Sequence, residues 1–345
     1  MKIYLVSALF SIVLLSCTKP PVDHKDSYLD GNGAFIVNEG NFLSGNGSVT
    51  FFSYDSTDIY NDLFDKVNER PLGDVPNSMV LHGRYGYIIV NNSGRIEVVE
   101  KSTIESVASV IGLVAPRNIA FVSDDKAYIT SMYSDSLAVM RVSDNKITGY
   151  INIRRSSESI VIASGKAYVS NWIGGDEVMV INTITDKVLD SIKVGLEPES
   201  MVIDRNNKLW VLCNGGWMRL NYAKLISINT GTNKVEKEFV FPTKQASPAC
   251  LNISGDGSNL FYLEGGVRKM NISDAGLPQS PFIAEEGSSF YKLGVNPVND
   301  DVFVTDAIDY QQQGFVMLYN SAGVLQSKLR AGIIPGMICF KMNDD

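Results

Sequence analysis

Histidine occurs only twice in the chain, at His24 and His82. A Ser-His-Asp triad or a histidine zinc site would have to rest on one of those two. The sequence has no Gly-x-x-x-x-Gly-Lys, Gly-x-Ser-x-Gly, His-Glu-x-x-His or Cys-x-x-Cys, so phosphate cradles, nucleophile elbows and common zinc sites have no support. Thirty Lys and Arg stand against 38 Asp and Glu, for a net charge of −8, and no stretch gathers basic residues into a stripe. That excludes a phosphate-tracking surface for nucleic acid. No apolar run approaches the ~20 residues that a membrane span needs. No stretch keeps a capped 3.6-residue period, which argues against long helices. What is present is a 345-residue chain, 45% apolar and 20% charged, enough to bury a large core and to exclude a disordered chain.

The N-terminus has one basic residue, Lys2, an apolar run from Ile3 to Leu15, and then Leu14-Leu15-Ser16-Cys17. This resembles a lipoprotein signal. It predicts a cleaved signal peptide over 1–16, a mature chain beginning at an acylated Cys17, and a polar tether over 17–32 with Pro20, Pro21 and Asp23. The remaining cysteines, Cys213, Cys250 and Cys339, lie in apolar runs and read as small core residues, not as a disulfide framework.

From 33 to 345 the chain repeats itself. Short apolar strands that open on an aromatic recur at Phe35-Ile36-Val37, Tyr87-Ile88-Ile89-Val90, Tyr128-Ile129-Thr130, Tyr168-Val169-Ser170, Trp210-Val211-Leu212, Phe261-Tyr262-Leu263 and Phe303-Val304-Thr305. Each is followed by a loop, a second apolar strand such as Val178-Met179-Val180-Ile181, a tight polar turn such as Ser143-Asp144-Asn145-Lys146, and a more exposed alternating strand. The unit is four antiparallel strands. Seven units arranged radially predict an all-β fold, a seven-bladed β-propeller, with a long β-sandwich as the weaker reading. The first unit begins at its second strand, so Met337-Ile338-Cys339-Phe340-Lys341 is expected to supply its inner strand and close the ring. Removing the last ten residues should then destabilise the whole molecule, whereas removing 18–30 should not.

In such a propeller the loops between second and third strands share one face with the links between blades, and binding should concentrate there. These segments carry Asn38, Asn41, Phe42, Asn91, Arg117, Tyr133, Asn171, Trp172, Asn214, Trp217, Tyr222, Tyr291, Asp306, Tyr310, Gln311 and Gln312 as candidate ligand contacts. Exposed aromatics among amides suit a large, flat, partly apolar ligand with a polar rim. An Asn in such a loop equally serves left-handed turn geometry. Trp210 and His82 read as core. Glu39, Glu158, Glu199, Glu264 and Asp306 leave a calcium-assisted enzyme as a minor alternative, and the pair Arg154-Arg155 offers an anion grip or a solvated charge pair.

The runs Asn38-Glu39-Gly40-Asn41-Phe42, Leu72-Gly73-Asp74-Val75, Val90-Asn91-Asn92-Ser93, Ser123-Asp124-Asp125-Lys126-Ala127-Tyr128, Asp306 to Gly314 and Gly332-Ile333-Ile334-Pro335-Gly336 resemble the BtuG-type surface lipoproteins, YncE-like and DUF5074-like seven-bladed propellers. The resemblance implies a lipid-anchored protein exposed on the surface of the outer membrane. It would bind cobalamin (vitamin B12) and related corrinoids and deliver them to a BtuB-like TonB-dependent transporter. No catalysis, catalytic cofactor or metal is implied, and cobalamin is cargo. A YncE-like propeller acting as a protein scaffold or a glycan binder is the alternative, because fold does not fix function.

Overall fold

A computed structural model describes Leu29 and residues 31–342. The signal peptide, Cys17, His24 and nearly all of the tether lie outside the described residues. Seven antiparallel sheets form the ring. The inner strands are Pro335–Lys341, Pro76–His82, Pro116–Ser123, Ser157–Ala163, Pro198–Ile203, Ala249–Ile253 and Phe290–Val295. The second strands are the seven aromatic runs in their expected places: Gly33–Asn38, Tyr85–Val90, Lys126–Ser131, Lys166–Asn171, Lys208–Cys213, Asn259–Leu263 and Val302–Asp306.

Continuous apolar runs are needed there because each second strand is covered on both faces. Among the described residues the buried side chains fall into seven clusters, one between each pair of neighbouring blades. Successive residues of one strand feed opposite interfaces. Ala127 and Ile129 pack towards the second blade, and Tyr128 towards the fourth. Cys213, Cys250 and Cys339 are buried and form no disulfide, and burial pushes their thiols up to about 12. Trp210 is core, and His82 stacks on Phe121 with ring centroids 4.0 Å apart.

The ring closes at the C-terminal strand as expected, with Phe35 paired to Cys339 and Ile36 to Ile338. Gly294 of the seventh blade's inner strand shows how tightly this joint is packed, since a Cβ there would sit 2.8 Å from Ile338 Cβ. Two details differ from the sequence reading. The sixth blade has three strands, not four. Only a single bridge from Val267 to Ile283 holds the following segment in the outer position, because Gly276, Pro278, Pro281 and Gly287 interrupt any fourth strand there. The outer strand of the first blade is only Ile59–Tyr60, and a six-residue helix, Leu63–Asn68, follows it. That helix buries Leu63 and Phe64 against the first two blades and is too short to show a period in the sequence.

At the hairpin end of the ring, Lys-Ala-Tyr at the start of two second strands ties blades together. Lys166 Nζ donates to Thr230 O (2.8 Å) and Asn233 Oδ1 (3.0 Å) of the next blade, and Tyr168 Oη donates to Thr230 O (2.9 Å). Lys126 and Tyr128 hold Asp186 in the same way.

Candidate functional site

Every inner strand begins at the opposite, loop-rich end, and each pairing there breaks register within its first few residues, as between Pro76 and Ser78, Pro198 and Ser200, and Phe290 and Leu293. Such a bulge re-aims the extra residue, and proline is tolerated because it opens the strand. The segments Asn77-Ser78, Arg117-Asn118, Glu158-Ser159, Glu199-Ser200, Cys250-Leu251 and Tyr291-Lys292 therefore occupy equivalent places around the axis. They line, or stand at the mouth of, an open axial cavity of about 310 Å³, whose walls include Asn77, Asn118, Glu158, Glu199, Cys250, Asn252, Lys292 and Met337.

Hydrogen bonds between blades hold this collar rigid. Asn77 Nδ2 and Ser78 Oγ donate to Arg117 O (2.8 and 2.7 Å), Asn118 Nδ2 to Glu158 O (3.1 Å), and Asn252 Nδ2 to Leu293 O (3.0 Å). Glu199 Oε2 accepts from Cys250 N (3.0 Å) and from Ser200 Oγ. Arg117 grips Glu158 with two bonds of 2.7 Å. Burial opposes the charge on Arg117, but the Glu158 carboxylate outweighs it and raises the guanidinium's pKa. Burial likewise opposes the charge on Lys292, yet Cys250, Tyr291, Glu199 and Glu39 together hold its ammonium above the ordinary lysine range.

The loops of the first and seventh blades lock together over the ring's seam. Asn41 Nδ2 donates to Tyr310 O (2.8 Å), the Tyr310 ring stands edge-on to Tyr291 at 5.6 Å, and Tyr291 Oη donates to Glu39 Oε1 (2.8 Å). Burial, with Glu39 alongside, pushes the Tyr291 hydroxyl above its usual range. Asp306 Oδ1 and Asp309 Oδ1 cap the 306–313 turn by accepting from Ile308 N (2.8 Å) and Gln311 N (2.9 Å). Ile308 and Tyr310 sit at φ 57° and 60°, a costly conformation for such side chains that persists only where its surroundings impose it.

The structure thus separates the candidate residues into three groups. Asn41, Arg117, Tyr291 and Tyr310 converge with the collar and the seam. Phe42, Tyr133, Trp217 and Tyr222 are exposed on the same end, with Trp217 at 84%, and Trp172 is half-buried there. Gln311 and Gln312 are exposed beside Tyr310. The buried amides of Asn38 and Asn91 work for the fold. Asn38 is fully buried, donates to Thr50 Oγ1 (2.9 Å) and accepts from Gly332 N (3.1 Å), and Asn91 Nδ2 donates to Pro116 O (3.0 Å). The half-buried Asn214 accepts from Gly216 N (2.8 Å) through Oδ1 in a local turn, Asn171 is buried with no partner for its Oδ1 among the described residues, and the buried Asp306 serves as the cap described above. Arg154 and Arg155 are solvent-exposed.

Sequence reasoning did not single out Asn77, Asn118, Glu199, Asn252 or Lys292 as contacts. The available signal was the alignment of Pro76-Asn77-Ser78, Pro116-Arg117-Asn118 and Pro198-Glu199-Ser200 with Phe290-Tyr291-Lys292. The acids proposed for calcium do not act as a set. Glu158 is bound by Arg117, Glu264 by Arg268 at 3.0 Å, and Asp306 by its turn. Among the described residues no group of three His, Cys, Asp or Glu is placed to hold a metal ion.

These features define a closed seven-bladed propeller with a preformed collar and an aromatic rim at one end. Its backbone resembles those of solved structures of low sequence similarity. They include a quinoprotein alcohol dehydrogenase-like protein from Bacteroides thetaiotaomicron (TM-score 0.72, 15% identity, 92% of this chain and 79% of that one). A functionally unknown protein from Desulfotomaculum acetoxidans gives a TM-score of 0.70 at 14% identity, over 91% of this chain and 100% of that one. Hydrazine synthase from Kuenenia stuttgartiensis gives 0.62 at 14% identity, over 76% and 89%. At these identities the likeness concerns the fold alone. Among curated proteins no sequence matches. The chain belongs to the DUF5074 family, a domain of unknown function, whose sequence profile matches residues 32–330.

Proposed function

We propose that this protein is a surface-anchored capture protein that binds cobalamin and related corrinoids on its loop-rich end and delivers them to a TonB-dependent outer-membrane transporter, without catalysis. The observation that carries this reading is the uneven distribution of exposed apolar side chains. The loop-rich end presents Phe42, Leu43, Tyr133, Ile173, Trp217, Met218, Leu220, Tyr222 and Tyr310, whereas the hairpin turns present Ile184, Val298 and Val324. A macrocycle with an apolar face and an edge of amide arms matches a rim of aromatics around a polar collar. The likeness of the loop sequences to BtuG-type lipoproteins supports the same ligand.

The course of the chain supports the orientation. Gly33 enters its strand, and Lys341 leaves its own, at the hairpin end, where Lys341 Nζ donates to Gly31 O (2.8 Å). The chain that carries the anchor thus joins the ring at the end opposite the aromatic rim and leaves the rim free to take ligand. Calorimetric titration of the full chain with cyanocobalamin tests the reading. One site with micromolar or tighter affinity is expected, and no heat at micromolar concentrations overturns it.

A further inference from the structure

We infer that the axial cavity is a carboxamide-binding site: one uncharged amide arm of the ligand enters it, its carbonyl accepting from Lys292 Nζ and its amino group donating to Glu199. This rests on the corrinoid reading above and assigns the cavity beneath the rim.

The inference follows from which groups of the wall have unused capacity. The Nδ2 groups of Asn77, Asn118 and Asn252 and the Ser78 hydroxyl donate to neighbouring blades, and Arg117 and Glu158 satisfy each other, so the charged groups of the wall left to meet a ligand are Lys292 and Glu199. Lys292 differs. Its backbone N donates to Thr305 Oγ1 (3.0 Å) and its ammonium lies 5.2 Å from the Tyr291 ring centroid, but among the described residues its Nζ has no hydrogen bond and no ion pair. Glu199 uses Oε2 for both of its hydrogen bonds and leaves Oε1 without one. An ammonium and a carboxylate oxygen, both bordering one cavity, need an acceptor and a donor respectively.

Charge decides the chemical class. With Glu158 neutralised by Arg117, the wall carries one unpaired carboxylate, Glu199, and one unpaired ammonium, Lys292, so an anionic arm meets Glu199 and a cationic arm meets Lys292. A primary amide offers the required acceptor and donor on one neutral, planar group. The cavity has room for it, at about 310 Å³, or roughly ten times the share of one liquid water.

The test compares cyanocobalamin with its monocarboxylic acids, in which a single arm amide is hydrolysed, by titration of the full chain and of the Lys292→Met and Glu199→Gln variants, with melting curves for each. The native chain is expected to bind one of the acids roughly tenfold to a hundredfold more weakly than cyanocobalamin. Both variants should lose cyanocobalamin affinity by a similar factor, and Glu199→Gln should narrow the gap between acid and amide. A variant that fails to fold is replaced by Lys292→Arg, which keeps the charge but misplaces the donor and should also weaken binding. Native binding of cyanocobalamin with unchanged affinity in folded variants, or equal affinity for every acid, overturns the arm site alone. No binding to the native chain overturns the corrinoid reading and the arm site with it.

Discussion

Replacing Ile338 by Ala tests ring closure. Ile338 lies on the C-terminal strand, is 6% exposed and packs with Ala34, Ile36, Phe52, Phe303 and Val316, joining the first blade to the seventh. Removing its outer carbons loses their transfer energy and leaves a gap that the paired strands cannot collapse, about 3 kcal/mol for a buried Ile→Ala change. At ~2 cal/mol/K per residue the propeller's unfolding entropy is ~0.65 kcal/mol/K, so the melting temperature should fall by ~4–5 °C. Far-UV circular dichroism melts of wild type, Ile338→Ala and Ile184→Ala provide the assay. Ile184 is 86% exposed on a hairpin turn, and its truncation should move the midpoint by less than ~1 °C. The reasoning requires one cooperative transition that shifts as a whole. An Ile338→Ala midpoint within ~1 °C of wild type, or a separate early transition confined to a fraction of the signal, would refute it.

Glu97 is 1% exposed on its side chain and is held by Arg70 (2.9 Å), Arg95 (3.0 Å), Ser106 (3.0 Å) and Ser109 (2.8 Å). Burial opposes its charge, but Arg70, Ser109 and Arg95 prevail and lower its pKa below the usual carboxylate value. Its contribution is therefore complete above the unfolded value of ~4.3 and is lost as pH falls through the lower folded value. Glu97→Gln should cost about 3 kcal/mol at pH 7, with the gap to wild type closing in melts taken progressively below pH ~4. Tyr168→Phe removes one donor to Thr230 O while Lys166 still reaches it, so urea titration should show a loss of about 1 kcal/mol; a loss above ~3 kcal/mol would mean that the latch does more than its hydrogen bond. On the rim, Trp217→Ala and Tyr310→Ala should each weaken cyanocobalamin about tenfold in calorimetry, whereas Thr185→Ala at the hairpin end should leave affinity unchanged. Equal effects at both ends would contradict the assignment of the face.

The blades were legible because two-sided burial forces an unbroken apolar run into each second strand, and Tyr168-Val169 or Trp210-Val211 shows it without any neighbour in view. Closure was legible from phase, since the first repeat lacked an inner strand and the last residues had no other place. The open edge of the sixth blade was written in Pro278 and Pro281, but a repeat counted on its aromatic strand passes over its outer one. In the site, residue type alone could not separate Asn41, which braces Tyr310, from Asn38, which braces the interior. The same amide serves both, and only its depth along the strand distinguishes them. Lys292 was missed because a lysine beside Phe290-Tyr291 looks like an ordinary strand residue until the bulge turns it to the axis.

Hydrogen exchange on the full chain, with and without saturating cyanocobalamin, examines the loop-rich end most directly. Slowed exchange should concentrate in 39–47, 131–135, 171–176, 214–223 and 306–313, leaving the turns at 143–146, 183–187 and 230–234 as fast as before. Protection centred on those turns, or spread evenly over both ends, would contradict a single recognition face.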